Sequence, residues 1–539
     1  MKKLVIKIQN PMKTQLLISA TIFLGLTFYS SAQITFQKAY GGAGDEYASF
    51  GIQTSDGGYL FSGYTSSFGS GYNYLIKTDA YGNTAWTKHF GGVMDEATGR
   101  VLQTSDGGYL VSGSTANFTS ANYKAYLMKM NSAGVTQWTK IYKSNIAGSY
   151  VSGLVNKTSD GGYIMTGYIR AGAIDGISLI KTNANGDTVW TRAYGGGGAE
   201  EGRDVHQTTD GGYIIAGNTN SFGAGGSDMY LIKTDANGDT IWTKTYGGPE
   251  AEQCTSVKQT NDGGYLIVGG TNSFGAGSGD VYVVKTNSGG DTLWSKTYGG
   301  TNSDGGGDIH QTLDGNYIIV GTTYSFSGST FSNAYLLKIN PVGEILWTKT
   351  IGEINCREGG FIIQPTSDSG YLLFGEREGS GGAGGIDLLA IKTDSTGSSG
   401  CNEGTTATIV SSPPTVVTSP ATQLLSIKLF IASATPSTGS GGTVTTRCFA
   451  VGVSETVTER EITISPNPIR KGDDFTISLN GQSFATNSQL AIYNALGENV
   501  YSSKLQTGDQ TLNPNLPTGI YFLKLREGGK LFTSKLIIQ

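Results

Sequence analysis

Short apolar runs separated by glycine-rich polar segments recur along most of the chain. In the stretch Ser256–Gly300, Tyr265–Val268 and Val281–Val284 are nearly continuous apolar runs. The adjoining segments Asp262–Gly264 and Ser288–Asp291 are typical of tight hairpin turns, because glycine adopts positive φ without strain. Runs without polar alternation predict strands that neighbouring sheets cover on both faces. This stretch therefore predicts four antiparallel strands.

The same unit occurs seven times, at steps of 50 to 54 residues. Its first marker is T-x-D-G-G-Y or a close variant, and its second is a turn glycine followed four residues later, in six units, by tryptophan. We expect each tryptophan to be buried between neighbouring sheets. The markers begin at Thr54, Thr104, Thr158, Thr208, Thr260, Thr312 and Thr366, and the tryptophans are Trp86, Trp138, Trp190, Trp242, Trp294 and Trp347.

The two ends of the repeat array predict how it closes. The seventh unit has a third strand at 388–392 but no fourth, and Cys401 stands in the tryptophan position. Ile34–Gly42 matches the fourth strand of the other units, with Phe36 in place of tryptophan. Four strands in about 52 residues are typical of a propeller blade. We predict an all-β fold with a seven-bladed β-propeller at 33–400, closed by the N-terminal strand. The unit resembles the repeats of bacterial secreted β-propeller proteins.

Composition excludes several classes of protein. Of 539 residues, 15% are charged, 82 are glycine and 29 are tyrosine, and the formal net charge is −5. Disordered chains have more charge and fewer aromatics, and collagen has far more glycine and proline. The slight acidity gives no reason to expect nucleic acid as a partner.

The N-terminus predicts export. Lysines precede an apolar run at Leu16–Tyr29, and small residues precede a cleavage site between Ala32 and Gln33, so residues 1–32 are predicted to be a signal peptide that starts at Met1 or Met12. The run is shorter than the span of about 20 residues that a membrane anchor needs. We expect no transmembrane segment after cleavage.

Four cysteines do not make a disulfide scaffold in a chain of this length. Cys401 and Cys448 flank one Ser/Thr-rich segment and are a candidate disulfide in an oxidising compartment. Cys254 and Cys356 are expected to be unpaired and buried. The spacing of cysteine and histidine matches no zinc motif, so we predict no metal and no cofactor.

Carboxylates offer the main candidate chemistry. They recur in the crossover after each fourth strand, on the face that is also predicted to carry loops rich in Gly, Ser and Asn. Such a face can bind cations or sugar hydroxyls, or supply two carboxylates at glycosidase spacing; the structural alternative is a solvated acidic loop set. No catalytic pair is distinguished. The candidate binding residues are Asp45, Glu46, Asp95, Glu96, Glu200, Glu201, Glu250, Glu252, Asp304 and Asp308.

Two further repeat positions carry polar residues. One strand position is lysine in every unit, and we expect these lysines on a solvated face rather than in a charged ring. His206 and His310 share the position two residues before the marker threonine. Because other units place different residue types there, that position predicts no consistent chemistry. The lysines are Lys77, Lys129, Lys181, Lys233, Lys285, Lys338 and Lys392.

After the repeats the composition changes. Residues 401–459 are rich in Ser, Thr, Pro and Gly and predict a linker, with a possible small β-segment at 424–431. Residues 460–539 contain short apolar runs punctuated by glycine, which predict a small antiparallel β-sandwich.

The last segment closely resembles the type A C-terminal sorting domain of type IX secretion. The resemblance lies in Ser465-Pro466-Asn467-Pro468, in Gly519 and Tyr521 within Leu516–Leu525, and in the terminal run from Lys535. It implies a bacterium of the Bacteroidetes kind, passage through the periplasm, recognition by the outer-membrane translocon, and release or attachment at the cell surface.

These observations favour a secreted or cell-surface protein that binds a glycan or protein ligand without catalysis. An extracellular carbohydrate-active enzyme that uses the loop carboxylates is the first alternative. A purely structural surface component is the second.

Overall fold

The computed structural model describes residues 33–68, 71–91, 96–115, 124–144, 150–151, 153–171, 174–379, 385–420, 423–426, 429–433, 437–452, 462–479, 488–494, 498–505, 510–513, 515–527 and 530–539. The predicted signal peptide at 1–32 therefore lies outside the described residues. Every regular element in the described ranges is a β-strand. Within those ranges, no helix has the length and apolar character needed to span a membrane.

The repeats form twenty-nine strands. Most of them are seven to nine residues long. They are β1 Gln33–Gly41, β2 Glu46–Gln53, β3 Tyr59–Thr65, β4 Tyr72–Thr78, β5 Thr84–Gly91, β6 Glu96–Gln103, β7 Tyr109–Thr115, β8 Lys124–Met130, β9 Thr136–Ser144, β10 Tyr150–Val151, β11 Leu154–Lys157, β12 Tyr163–Ala171, β13 Ile174–Thr182, β14 Thr188–Gly195, β15 Glu200–Gln207, β16 Tyr213–Thr219, β17 Asp228–Thr234, β18 Thr240–Gly247, β19 Glu252–Gln259, β20 Tyr265–Thr271, β21 Asp280–Thr286, β22 Thr292–Gly299, β23 Asp304–Gln311, β24 Tyr317–Thr323, β25 Asn333–Ile339, β26 Ile345–Ile351, β27 Arg357–Pro365, β28 Tyr371–Glu378 and β29 Ile386–Thr393.

These strands form seven antiparallel sheets, which we number in chain order. Sheet 1 contains β2–β5, sheet 2 β6–β9, sheet 3 β10–β14, sheet 4 β15–β18, sheet 5 β19–β22, sheet 6 β23–β26, and sheet 7 β27–β29 with β1.

The marker motif forms the turn between the first two strands of a sheet. In sheet 5, Asp262 Oδ1 accepts hydrogen bonds from Thr260 Oγ1 (2.6 Å) and from Gly264 N (3.0 Å). Gly263 has a φ of 81°, a conformation that a side chain would strain. The Thr and the Asp of the marker therefore stabilise the turn, and its positive φ favours Gly, although the seventh unit has Ser369 there at a φ of 66°.

The repeated lysine belongs to the same turn. Lys285 Nζ lies 2.8 Å from Asp262 Oδ2, and only 3% of the lysine side chain is exposed. The equivalent lysine of every unit is paired with its own marker aspartate in the same way. The predicted solvated face is therefore wrong: six of the lysines are buried and Lys338 is half-buried, because each has a carboxylate partner beside it.

Each tryptophan contacts the turn of the next unit. The Trp242 ring lies against Gly290, and the neighbouring Tyr246 hydroxyl donates to the Gly290 carbonyl (2.6 Å). The six tryptophans are half-buried rather than fully buried. These contacts link consecutive sheets at the same point in each repeat.

The N-terminal strand pairs where the sequence predicts. β1 is antiparallel to β29, with Phe36 opposite Lys392 and Tyr40 opposite Leu388. Phe36 contacts Gly82 as the tryptophans contact their glycines, and Tyr40 donates to the Gly82 carbonyl (2.7 Å). β1 thus acts as the fourth strand of sheet 7 and contacts sheet 1.

The repeat core consists of seven hydrophobic clusters, each shared by two sheets. Six of them join sheets that are consecutive in the chain. The seventh contains Phe36, Phe61 and Phe374 and joins sheet 7 to sheet 1. In it, Phe61 stacks on Phe374 at a ring distance of 4.7 Å, an arrangement that contributes about 0.5–1.5 kcal/mol beyond simple burial.

The segment predicted to be a linker instead adds one outer strand to every sheet. We call residues 403–452 the belt. Its strands join sheets 6, 5, 4, 3, 2, 1 and 7 in that order, the reverse of the repeat order up to sheet 1. The physical reason is that each fourth strand would otherwise leave an open edge. The belt strands are β30 Glu403–Gly404, β31 Ile409–Ser411, β32 Val416–Thr418, β33 Gln423–Ser426, β34 Leu429–Ser433, β35 Ser437–Gly439 and β36 Thr443–Gly452.

The last belt strand is the longest. β36 pairs with β1 from Gln33 opposite Gly452 to Gly41 opposite Thr443, so β1 has a partner on both sides. Arg447 of this strand also lies 2.8 Å from Glu353.

The predictions for the cysteines can be compared with the structure where it describes their side chains. Cys254 and Cys356 are free and buried, as expected. Cys401 is disulfide-bonded. The side chain of its predicted partner Cys448 lies outside the described residues, so that pairing stays a prediction.

Residues 453–539 form a second compact unit. It contains a three-stranded and a four-stranded antiparallel sheet around a core that includes Phe475, Ile492 and Leu523. Its strands are β37 Ile462–Ser465, β38 Phe475–Leu479, β39 Gln489–Asn494, β40 Asn499–Lys504, β41 Gln510–Leu512, β42 Gly519–Glu527 and β43 Lys530–Ile538.

Candidate functional site

Half of the candidate acidic residues are buried rather than presented on a rim. Glu252 is fully buried, and its carboxylate accepts hydrogen bonds from Gly248 N (2.7 Å), Thr271 Oγ1 (2.6 Å) and Ser273 N (3.3 Å). It therefore joins the crossover to the loop that follows the second strand. Glu46, Glu200 and Asp304 are buried and bonded in the same way.

The other candidates lie in different surroundings. Glu250 is exposed, whereas Asp45 and Glu201 are half-buried. Asp45 Oδ1 accepts from Ile386 N (3.1 Å), and Glu201 is paired with Arg203 (2.9 Å). Asp95 and the side chain of Glu96 lie outside the described residues. The structure does not bring the eight described acids together.

Asp308 belongs to a separate buried cluster on the first strands of the sheets. Ser256 Oγ donates to Asp308 (2.7 Å) and lies 3.1 Å from Asp204, and Lys258 Nζ lies 3.1 Å from Asp204 and 3.4 Å from Asp308. Arg100 Nη2 reaches Asp204 at 2.7 Å. The cluster thus connects sheets 2, 4, 5 and 6.

The charges of this cluster are compensated. Burial opposes ionisation of Asp204, but the charges of Arg100 and Lys258 and a hydrogen bond from His206 outweigh it and hold the pKa of its carboxyl well below the usual range. Burial lowers the pKa of His206 despite the neighbouring Asp204, so the imidazole is neutral at pH 7. The fixed positive and negative charges therefore balance.

A cavity of about 460 Å³ lies where the first strands of all seven sheets meet. Arg100 lines this cavity as well as the buried cluster, so the cluster forms part of its wall. The lining carries arginine and aromatic side chains, several glycines, and no acidic residue among the described positions. The lining residues from the seven first strands include Ser49, Phe50, Gly99, Arg100, Leu154, Arg203, Thr255, Gly307, Phe361 and Ile362.

Five of the lining residues occupy one bulged position of the repeat. In five sheets the first strand has a register shift against the second, which leaves one extra residue five positions before the marker threonine. Such β-bulges turn a side chain out of the ladder. The extra residues are Ser49, Arg203, Thr255, Gly307 and Phe361, and all five line the cavity.

Sequence reasoning missed this site because it treated each repeat position separately. His206, His310 and Lys258 share one position whose residue types differ between units, and the sequence analysis therefore assigned it no chemistry. The first strands converge, so different residues at one position meet each other. His206 lies 2.9 Å from Asn156, and 3.3 Å from Lys258 Nζ. Polar residues at an inward position of a strand are the pattern that could have indicated the site.

In the C-terminal unit, the predicted motif residues hold the last strand. Asn467 Nδ2 donates to the Lys535 carbonyl (2.6 Å), and Asn467 Oδ1 accepts from Ile537 N (2.9 Å). Tyr521 is buried and donates to the Pro517 carbonyl (2.8 Å). Gly519 opens the strand that pairs with the terminus.

Residues 463–539 match the family described as the secretion system C-terminal sorting domain. The chain carries a type IX secretion sorting domain. The sorting domain directs the protein to the cell surface or the extracellular space. Recognition of the domain by the type IX machinery follows from the same match.

The other comparisons give only weak similarities. No curated protein matches the chain. Among solved structures, PorZ of Porphyromonas gingivalis, described as an essential bacterial surface component of the type IX secretion system, is similar at 11% identity over 93% of this chain and 85% of that chain, with a TM-score of 0.24. A eukaryotic initiation factor is 9% identical over 68% and 99% of the two chains (TM-score 0.29), and an endo-1,5-alpha-L-arabinanase of Thermotoga petrophila RKU-1 is 12% identical over 67% and 99% (TM-score 0.24). Such low scores support no statement about the ligand.

Proposed function

We propose that the seven sheets form a closed seven-bladed β-propeller, exported after removal of a signal peptide that ends at Ala32. Three observations support closure. β1 pairs with β29, a hydrophobic cluster joins sheet 7 to sheet 1, and one cavity is lined by the first strands of all seven sheets. An open stack of sheets would leave its two end sheets without a shared core.

We further propose that the protein is a surface-displayed, non-catalytic glycan-binding protein whose ligand enters the central cavity. The main support for this proposal is the chemistry of the residues that line the cavity. Phe361 is 37% exposed at the cavity, and an exposed aromatic face stacks on the apolar face of a sugar ring. Arg203, with 47% of its side chain exposed, and the main-chain groups of the lining glycines supply hydrogen bonds for hydroxyl groups.

Binding is favoured over glycoside hydrolysis by the position of the acids. A glycosidase needs two carboxyl groups on either side of the bond that it cleaves. Glu46, Glu200, Glu252 and Asp304 are buried in loop contacts, and the cavity lining has no carboxylate among the described residues.

The test is a glycan array followed by calorimetry with the glycans that bind. Phe361→Ala and Arg203→Gln should each weaken binding by about tenfold or more, the loss of one good contact of about 1.4 kcal/mol. Arg170→Gln is the matched control, because Arg170 is also an exposed arginine in an ion pair, with Asp175. Tyr81→Ala controls for loss of an exposed aromatic ring. Undiminished binding by both cavity variants, or turnover of a glycan, would contradict the proposal.

A further inference from the structure

A second set of buried acids lies at the junctions between sheets. Asp228 begins β17 and Asp280 begins β21, each five residues before the repeated lysine, and they are 0% and 1% exposed. The same position is Asn333 in sheet 6 and Asp387 in sheet 7. None of these aspartates is a cavity residue or a residue of the Arg100 cluster.

Each of these aspartates faces an acid of the next sheet. A Cβ at Gly247 would collide with both Asp228 Oδ1 of sheet 4 and Glu252 Oε2 of sheet 5. One added carbon would meet both oxygens, so the two carboxyl groups adjoin across the junction. Gly299 lies in the same way between Asp280 Oδ1 and Asp304 Oδ2, which joins sheet 5 to sheet 6.

In the first pair, Glu252 accepts more hydrogen bonds than Asp228 does. Glu252 accepts three hydrogen bonds, from Gly248 N, Thr271 Oγ1 and Ser273 N. Asp228 Oδ2 accepts from Ala224 N (3.1 Å), whereas Asp228 Oδ1 is buried without a partner. A proton on Oδ1 would allow it to donate to Glu252 Oε2, the other oxygen that an added Cβ at Gly247 would meet.

The second pair has the same distribution. Asp304 accepts from Gly300 N (2.8 Å) and Ser325 Oγ (2.6 Å). Asp280 Oδ2 accepts from Ala276 N (2.9 Å) and Gly277 N (3.2 Å), and Asp280 Oδ1 is buried without a partner.

Among the residues that the structure describes, no cation pairs with the acids of either junction. The other titratable groups that face them are phenols: Tyr282 beside the first pair and Tyr335 beside the second, whose pKa values burial raises, so both are neutral at pH 7. Within the described residues, no group of three or more acidic, histidine or cysteine side chains gathers to hold a metal ion. The donors that surround the carboxylates are N–H and O–H groups, which stabilise anions rather than ligate cations.

We propose that Asp228 and Asp280 are protonated at neutral pH, and that each donates a hydrogen bond from Oδ1 to the ionised acid of the next sheet, Glu252 or Asp304. Two buried carboxylates in contact cannot both ionise at low cost, so one of them keeps a proton. Burial, and secondarily the neighbouring acid, raises the pKa of Asp228 and of Asp280, in agreement with the geometry. In sheet 6 the chain itself uses Asn333, whose amide has the shape of a neutral carboxyl group.

The junction between sheets 7 and 1 has a related arrangement. A Cβ at Gly41 would collide with both Asp387 Oδ1 and Glu46 Oε2. The pairing of acids therefore recurs at the junction that closes the array.

The first experiment is infrared difference spectroscopy of the full exported chain against the D228N/D280N variant. We expect the protonated-carboxyl band at pH 7 to be stronger in the wild type than in the variant, which retains the acid pair of Asp387 and Glu46. The D210N variant is the control, because Asp210 is ionised by its pairing with Lys233 and should leave the band unchanged. A band of equal intensity in the wild type and D228N/D280N would overturn the proposal.

The second experiment measures melting temperature from about pH 5 to pH 8, since an unfolded aspartate has a pKa of about 3.9. The folded protein holds protons that the unfolded chain has released, so wild-type stability should fall as pH rises through this window. D228N/D280N keeps the hydrogen bonds and should melt at or above the wild-type temperature at pH 8, with a shallower pH dependence. Equal slopes in wild type and variant would contradict the proposal. So would a melting temperature that calcium raises and EDTA lowers in the wild type alone, because that result would assign the pairs to a cation.

Discussion

Arg100 Nη2 lies 2.7 Å from Asp204 Oδ1, although the two residues belong to sheets 2 and 4, which are not neighbours in the chain. The contact is possible because the first strands of all the sheets converge on one cavity. The Arg100 guanidinium also lies 4.9 Å from the centre of the Phe50 ring of sheet 1. One side chain of sheet 2 thus contacts both sheet 4 and sheet 1.

Removing Arg100 should destabilise the repeat array strongly. Breaking a buried ion pair from one side costs about 3–5 kcal/mol, and because Asp204 keeps Lys258 and His206 as partners we expect Arg100→Gln to lie near the low end. Denaturant unfolding followed by circular dichroism measures the loss. The double variant R100Q/D204N should lose less than the sum of the single variants, and simple additivity would contradict a direct coupling.

Substitution of two glycines of sheet 5 would measure the cost of backbone strain separately from the cost of a packing clash. Gly263 (φ 81°) has no atom within 4 Å of an added Cβ, whereas an added Cβ at Gly290 (φ 80°) would lie 2.9 Å from the Trp242 ring. Gly263→Ala should cost about 1–2 kcal/mol from the left-handed conformation alone. Gly290→Ala should cost about 1–3 kcal/mol more, since the ring must move. Equal losses of unfolding free energy in the two variants would show that the tryptophan contact does not matter.

Acid should weaken the lysine–aspartate turns. Burial opposes ionisation of Asp210 and Asp262, but hydrogen bonds from Thr and Lys prevail and lower the pKa of each to about 2. The contribution of the turns is complete above the unfolded value near 4 and is lost as pH falls towards 2. Melting temperatures between about pH 2 and pH 5 should therefore fall less steeply in D210N/D262N than in the wild type. This dependence is opposite in sign to that expected from Asp228 and Asp280, and it lies in a separate pH range.

Deleting the belt should expose the outer edge of each sheet. A chain of residues 33–452 should be monomeric, whereas residues 33–400 should associate, because exposed strand edges pair with other chains. Light scattering after size exclusion measures the difference. A monomeric 33–400 chain with an unchanged melting temperature would show that the belt is dispensable.

The strands of the repeats could be predicted from sequence because local rules fix them. Thr260, Asp262 and Gly263 are residues that the marker turn favours. The seventh unit lacks a fourth strand, and Ile34–Gly42 matches the sequence of that strand in the other units. The belt could not be predicted in the same way. Strands of two or three residues such as β30 and β31 are too short to show alternation, and their pairing depends on edges made by distant parts of the chain.

The candidate site was harder to predict from the sequence than the belt. The sequence analysis placed Glu46, Glu252 and Asp304 in the crossovers, whereas each is the first residue of a first strand. Burial decides whether such acids meet a ligand or a loop, and burial depends on the packed sheets. The cavity residues Arg203 and Phe361 share a repeat position with no common chemistry. Their convergence is a property of the assembled sheets rather than of any one unit.

The belt also determines how the protein responds to mechanical load. Residue 452 ends the strand that lies along β1, and the sorting domain follows it in the chain. Tension applied through that connection acts first on the pair of Gly452 with Gln33 and then on the pairs that follow, as far as Cys448 with Gln37. The predicted Cys401–Cys448 disulfide would transmit the load from there to Cys401, just before the belt begins. The belt strands between the two cysteines would then stay paired with their sheets.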